Sequence, residues 1–169
     1  TPDNLPSQVL YPTFERSYAY DARNRTVKEM DHLDGESPFT TDLAYDDAGN
    51  LTSRTDKMGN TTYFSYDALN RLVEVVDPSG GETRLSYDNR DNPIELTDAE
   101  GQTTRFVYDA ANRLVKEIRP NGAETTYGYD AAGNLIEKTD PKNQKTAYGY
   151  DAAGRLVEID YFLIVDDAA

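Results

Sequence analysis

Bulky residues occupy every second position in short runs along this chain, and the runs recur at a fixed distance. In Thr62-x-Phe64-x-Tyr66, Thr104-x-Phe106-x-Tyr108 and Thr125-x-Tyr127-x-Tyr129 they alternate mostly with small or polar residues. A step of two is the strand period, so each trio shares one face of a β-strand. The second face carries residues such as Ser65, Arg84, Ser86, Arg105, Gly128 and Gly149. Each trio ends on a Tyr followed by Asp. The seven pairs are Tyr20-Asp21, Tyr45-Asp46, Tyr66-Asp67, Tyr87-Asp88, Tyr108-Asp109, Tyr129-Asp130 and Tyr150-Asp151, spaced 25 residues once and 21 residues five times.

Aligned on that Tyr, further columns emerge. Two residues before it stand Tyr18, Leu43, Phe64, Leu85, Phe106, Tyr127 and Tyr148; four before it stand Arg16 and then six Thr. Four after it come only Asn, Gly or Asp, residues that tolerate positive φ, which marks a tight turn. An aliphatic pair such as Leu72-Val73 or Leu114-Val115 then opens a second strand. Fourteen after the Tyr, Gly59, Gly80, Gly101, Gly122 and Asn143 mark a second turn, for which positive φ is predicted. Two turn signals about ten residues apart describe a hairpin. The expected fold is all-β: an antiparallel hairpin array forming a curled, spiralling sheet. A parallel β-helix has coils of similar length, but it does not need two positive-φ turns per repeat. The predicted organisation is an irregular lead-in over 1–15, seven repeats over 16–160, and an apolar edge strand or tail over 161–169.

Single hairpins of this size do not hold themselves. About three large side chains contribute roughly 1.5–3 kcal/mol each, against about 1–2 kcal/mol per residue of backbone ordering. Stacked neighbours must share buried faces, and stability becomes a nearest-neighbour sum. Fourteen strands would make a wide sheet that twists and curls, with the aromatic column on its concave or packed side.

Charge and composition narrow the partners. The 31 acidic and 17 basic residues leave a net charge of −14, against nucleic acid or an anionic membrane surface. No apolar run approaches a membrane span. Cysteine is absent, so there is no disulfide framework or thiol chemistry. No signal-peptide pattern opens the chain, and with no initiating Met it reads as a piece of something longer.

The run Tyr129-Asp130-Ala131-Ala132-Gly133-Asn134-Leu135, followed by Thr139-Asp140 and by Thr146 to Tyr150-Asp151, resembles the YD repeat of RHS proteins. The resemblance covers residues 16 to 160. That family includes bacterial polymorphic toxins, insecticidal toxin complexes and teneurins, in which many such repeats spiral into a β-sheet shell. It implies a shell segment, secreted or at a cell surface, packed against other repeats and able to surround an enclosed toxin domain. Seven repeats are too few to close a large shell. The shell-end protease motif of bacterial members has its nearest counterpart in Asp77-Pro78-Ser79-Gly80, which lacks the Leu, so no protease residues are carried over. No toxin domain is expected after residue 160.

The candidate chemistry is sparse. A carboxylate ladder suggests Ca²⁺, but an Asp after each marker Tyr also suits an Asx turn, and the glycine-rich motif of calcium β-rolls is missing. The Tyr ladder suggests sugar stacking, yet Trp is absent; buried ladder Tyr is the expectation instead, with a neighbouring Thr or Asp able to supply the phenol's partner. His32 is the only His and falls in the one lengthened loop, Asp31 to Phe39, where it lacks a second ligand or a triad partner. That loop breaks the period and is the best place for a partner contact. Tyr161 replaces the turn Asp of the last repeat, and Tyr161, Phe162, Leu163, Ile164 and Val165 read as an edge strand seeking a second copy of the chain or another repeat. No catalytic residue, metal site or cofactor is predicted. The expected role is structural, a wall that encapsulates or presents a cargo, with an extracellular glycan- or protein-binding repeat module as the alternative.

Overall fold

The computed structural model describes residues 8–10, 15–33 and 37–162. They form strands and turns, without a helix among the described residues. A short strand β1 (Gln8–Leu10) precedes fourteen repeat strands. These are β2 (Glu15–Tyr20), β3 (Thr26–His32), β4 (Phe39–Tyr45), β5 (Leu51–Thr55), β6 (Thr61–Tyr66), β7 (Leu72–Val76) and β8 (Glu82–Tyr87). They continue as β9 (Pro93–Thr97), β10 (Thr103–Tyr108), β11 (Leu114–Ile118), β12 (Glu124–Tyr129), β13 (Leu135–Thr139), β14 (Lys145–Tyr150) and β15 (Leu156–Phe162). The chain forms two compact units, 1–84 and 85–169. Within each, consecutive strands pair antiparallel in chain order. Even-numbered strands from β2 onward end on the marker Tyr.

Gln8–Leu10 lie in the stretch expected to be irregular, yet they pair with β2: Val9 faces Arg16 and Leu10 faces Glu15. β3 and β15 also depart from expectation. Both run seven residues where β5, β7, β9, β11 and β13 run five, because they continue as strand through the two positions at which the other repeats turn. In β3 these are Asp31 and His32; in β15 they are Tyr161 and Phe162. Asp31 and His32 are therefore strand residues, paired with Arg16 and Glu15, and not loop decoration. Tyr161 and Phe162 pair with Thr146 and Lys145 of β14. Leu163, Ile164 and Val165, the rest of the expected association strand, lie outside the described residues.

Both hairpin types close in the same way. At the marker turn Asp21 N donates to Arg25 O and Asn24 N donates to Asp21 O, each at 3.0 Å. At the second turn Asp98 N donates to Gln102 O and Gly101 N donates to Asp98 O, each at 2.9 Å. This is the three-residue hairpin loop that ends on a left-handed residue. Every residue of the two turn columns has positive φ, from Asn143 at 59° to Gly49 at 101°.

One feature separates the two edges. At the marker hairpins the register slips by one residue: Ser65 faces Glu74 while Tyr66 faces Leu72, so Val73 is extra. The same slip recurs at Tyr20, Tyr45, Tyr108, Tyr129 and Tyr150. Such a β-bulge raises the local twist. The second-turn hairpins keep continuous register.

Of the two surroundings expected for the aromatic column, a packed core is not observed among the described residues. Among the described residues no apolar side chain is buried, and the buried ones are Asp31, Thr41 and Thr125. The marker face is nevertheless the more covered one. Phe64, Tyr66, Phe106 and Tyr108 are half-buried, whereas Tyr63, Ser65, Arg105 and Val107, from the alternate positions, are exposed. A single sheet layer supplies only in-plane neighbours, so its side chains are flanked but not covered. The exposed face is tied by cross-strand ion pairs, Arg84–Glu74 at 3.1 Å, Arg105–Glu95 at 2.8 Å and Lys116–Glu124 at 2.8 Å. At such exposure each contributes about 0–1 kcal/mol.

Candidate functional site

The residues that recur with chemical precision lie along the marker-turn edge. Each marker carboxylate closes the turn it opens. Asp109 Oδ1 accepts from the backbone N–H of Ala111 (2.8 Å) and Arg113 (3.0 Å), and Oδ2 accepts from Arg113 Nε at 2.8 Å. Asp130 accepts from Asn134 N at 2.8 Å and Asn134 Nδ2 at 2.9 Å. The contacts repeat at Asp21, Asp46, Asp67, Asp88 and Asp151. They hold the carboxyls below their ordinary range. The first cause is the backbone N–H of Arg25, Arg71, Arg113 or Arg155 for Asp21, Asp67, Asp109 and Asp151; for Asp46, Asp88 and Asp130 it is the Asn50, Asn92 or Asn134 side chain.

Those partners form a column that single-repeat reasoning missed. Five residues after the marker Tyr stand Arg25, Asn50, Arg71, Asn92, Arg113, Asn134 and Arg155, in strict alternation. Each kind reaches its neighbour differently. Arg25 Nη1 donates to Asp46 O and Arg113 Nη1 to Asp130 O, both at 3.0 Å. The same guanidinium carbons lie 4.7 Å and 4.8 Å from the ring centres of Tyr45 and Tyr129. The Asn type instead donates amide to amide, Asn50 Nδ2 to Asn70 Oδ1 at 2.8 Å and Asn92 Nδ2 to Asn112 Oδ1 at 3.1 Å. The second-turn edge alternates with it. Thr55 pairs with Thr61 and Thr97 with Thr103, hydroxyl to hydroxyl at 2.8 and 2.9 Å, while three of the four Arg-type repeats carry Met30, Val76 and Ile118 at the same place and the fourth carries Asp160. The chemical unit is thus a pair of hairpins.

Three marker phenols use a partner other than Thr or Asp. Tyr45, Tyr129 and Tyr150 donate to backbone carbonyls of the preceding repeat, Thr26 O (3.0 Å), Leu114 O (2.9 Å) and Leu135 O (3.0 Å). The acceptor sits six residues after the preceding marker Tyr, beside the bulge. A hydroxyl directed into the sheet edge in this way is engaged within the array, and the ring above it is half-covered, which is poor geometry for a sugar-stacking platform.

A second cluster breaks the pattern at the other edge. Arg16 stands where the other repeats have Thr, and Asp31 lies directly opposite it. Asp31 is 8% exposed. It accepts from Arg16 Nε and, at 3.0 Å, from Arg16 Nη2, and it contacts Lys57 from the β5–β6 turn. Its carboxyl is held down to about 2, first by the Arg16 hydrogen bonds, and the Arg16 guanidinium is raised in turn. Beside it Ser17 Oγ and His32 Nε2 are 2.8 Å apart. This cluster occupies the position of an omitted turn and pins the lengthened hairpin. No group of three or more His, Cys, Asp or Glu fit to hold a metal ion occurs among the described residues.

Fold and edge chemistry together define an all-β hairpin-repeat scaffold. The RHS Repeat family matches residues 45–82, 66–103, 87–125, 108–143 and 129–162. The chain belongs to the RHS repeat family. No curated protein matches it. Among solved structures it is similar to "TcdB2-TccC3-Cdc42", with a TM-score of 0.75 and 17% identity over 90% of this chain and 9% of that one. It is also similar to the "Photorhabdus luminescens Tc holotoxin pore", with a TM-score of 0.71 and 19% identity over 87% of this chain and 9% of that one. The likeness is one of fold, and this chain spans about a tenth of the chains it matches.

Proposed function

We propose that the chain is a wall segment of an RHS-type β-shell, secreted or at a cell surface, whose role is to enclose or present a cargo domain and not to catalyse a reaction. The observation that carries this reading is the ladder. Its recurring polar contacts bind hairpins to their own turns and, at Arg25, Asn50, Asn92 and Arg113, to the following hairpin, as a wall that extends by repetition requires. The TM-score of 0.75 to a toxin-complex chain about ten times longer supports a segment of a larger structure. The wall partners are further repeats paired along strand edges. A repeat adhesin gripping glycan or protein has less support, because Tyr45, Tyr129 and Tyr150 donate their phenols to backbone carbonyls.

The test is limited proteolysis of the parent protein with mass spectrometry of the fragments. A non-repeat domain that resists protease while the repeats are intact, and is digested once they are unfolded by mild denaturant, is the expected result. A non-repeat domain cut at the same rate in both conditions contradicts the encapsulating role.

A further inference from the structure

Among the described residues, four of the five second turns open on Asp: Asp56, Asp77, Asp98 and Asp140. Each carboxylate holds its own turn, as Asp98 Oδ1 does by accepting from Glu100 N at 3.1 Å and Gln102 N at 2.8 Å. The β11–β12 turn is the exception. It opens on Arg119, and its side-chain cap comes from inside the loop, where Asn121 Oδ1 accepts from Ala123 N at 3.0 Å. Gly122 follows Asn121, the one Asn-Gly pair in the chain. Both residues are exposed, Gly122 has φ of +80°, and a Cβ placed there meets nothing within 4 Å. We propose that Asn121-Gly122 is a self-modification site, at which the folded chain converts Asn121 to isoaspartate and releases the β11–β12 turn.

The reaction needs only the chain and water. Gly122 N bonds to Asn121 Cγ and gives its proton to solvent; the Cγ–Nδ2 bond breaks, and Nδ2 takes a proton and leaves as ammonia. Water then opens the cyclic imide to isoaspartate or aspartate. The attack gives up one hydrogen bond, from Gly122 N to Arg119 O at 2.9 Å. Against that cost, the nucleophile belongs to glycine and no Cβ shields its approach, whereas every other Asn precedes a residue that carries one. The Ala123 N–H polarises the carbonyl under attack. Nδ2, the leaving group, has no protein partner among the described residues, while Asn50, Asn92 and Asn134 donate theirs to Asp carboxylates. An Arg in place of the turn-opening Asp also removes the negative charge that would oppose an anionic nitrogen. Isoaspartate carries the main chain through the former side-chain carbonyl. The three-residue loop gains a methylene, Ala123 loses its cap, and the turn no longer fits the register in which Ile118 faces Glu124. The inference stands apart from the wall reading, which is judged by cargo protection.

The experiment incubates the full chain in mildly alkaline buffer and maps its peptides by mass spectrometry, with fragmentation that separates isoaspartate from aspartate. A parallel sample is unfolded in urea. The expected result in the folded chain is conversion at Asn121 several-fold faster than at any other Asn, with Gly122→Asn slowing it several-fold. That variant keeps the turn, because Asn143 holds φ of 59° at the same position of the next repeat. Hydrogen exchange of the converted chain should show lost protection at the Arg119 and Ala123 amides, which close and cap this turn. An Asn121 that stays intact in the folded sample but converts in urea would show that the turn shields it, and would overturn the proposal. Equal rates at Asn121 and the other Asn residues, an unaltered rate in Gly122→Asn, or unchanged exchange after conversion overturn it as well.

Discussion

At the scale of single residues the turns dominate. Gly101 has φ of +76°, and a Cβ placed there meets nothing within 4 Å, so the cost of substitution is conformational and not steric crowding. Gly101→Val is expected to lower unfolding free energy by about 1–2 kcal/mol in urea titration, whereas an ordinary surface change stays within about 0.5 kcal/mol. The turn columns were legible because positive φ restricts residue choice within one repeat. The partner of the marker Tyr was not, because a carbonyl leaves no mark in a residue column. The bulge left only a faint one, in the aliphatic pairs Leu72-Val73, Leu114-Val115, Leu135-Ile136 and Leu156-Val157 that follow four of the seven marker turns: strict alternation has no place for two adjacent bulky residues, and an extra residue does.

At the scale of elements the departures from the repeat are the informative parts. Arg16 breaks the Thr column and Asp31 occupies a turn position without making a turn; each looks anomalous alone, and the register of β2 with β3 makes them one contact. Removing the carboxylate with Asp31→Asn is expected to cost roughly 1.5–3 kcal/mol at neutral pH, the range for hydrogen bonds to charged groups. Because folding lowers this carboxyl from 3.8 to about 2, its contribution is present above pH 4 and disappears as pH falls toward 2. Thermal melts should therefore show the gap between wild type and variant closing across that window. A gap that stays constant to pH 2 would mean the ion cluster is not its source. The Arg and Asn column makes a second element-scale prediction. Asn134→Arg places three guanidiniums in adjacent repeats and should destabilise by about 1 kcal/mol at low ionic strength, with most of the loss recovered in about 0.5 M salt. A loss that ignores salt would point to packing.

At the scale of the whole molecule the fold class was readable from periodicity, but the source of cohesion was not. Half-buried columns look the same in sequence whether a second layer covers them or only in-plane neighbours flank them. Here no apolar side chain among the described residues is buried, and the side-chain contacts that join repeats are polar: the marker-edge ladder, the cross-strand ion pairs of the exposed face and the Lys57–Asp31 contact at the other edge. Alternation over two repeats was overlooked because alignment on a single Tyr averages it away. The central claim is that neighbouring repeats are coupled through this ladder. It is tested most directly by a double-mutant cycle between Arg113 and Tyr129, using Arg113→Ala, Tyr129→Leu and the double variant in equilibrium unfolding. The predicted coupling is about 0.5–1.5 kcal/mol, favourable in the wild type. A coupling within error of zero, with both single variants folded, would contradict the claim.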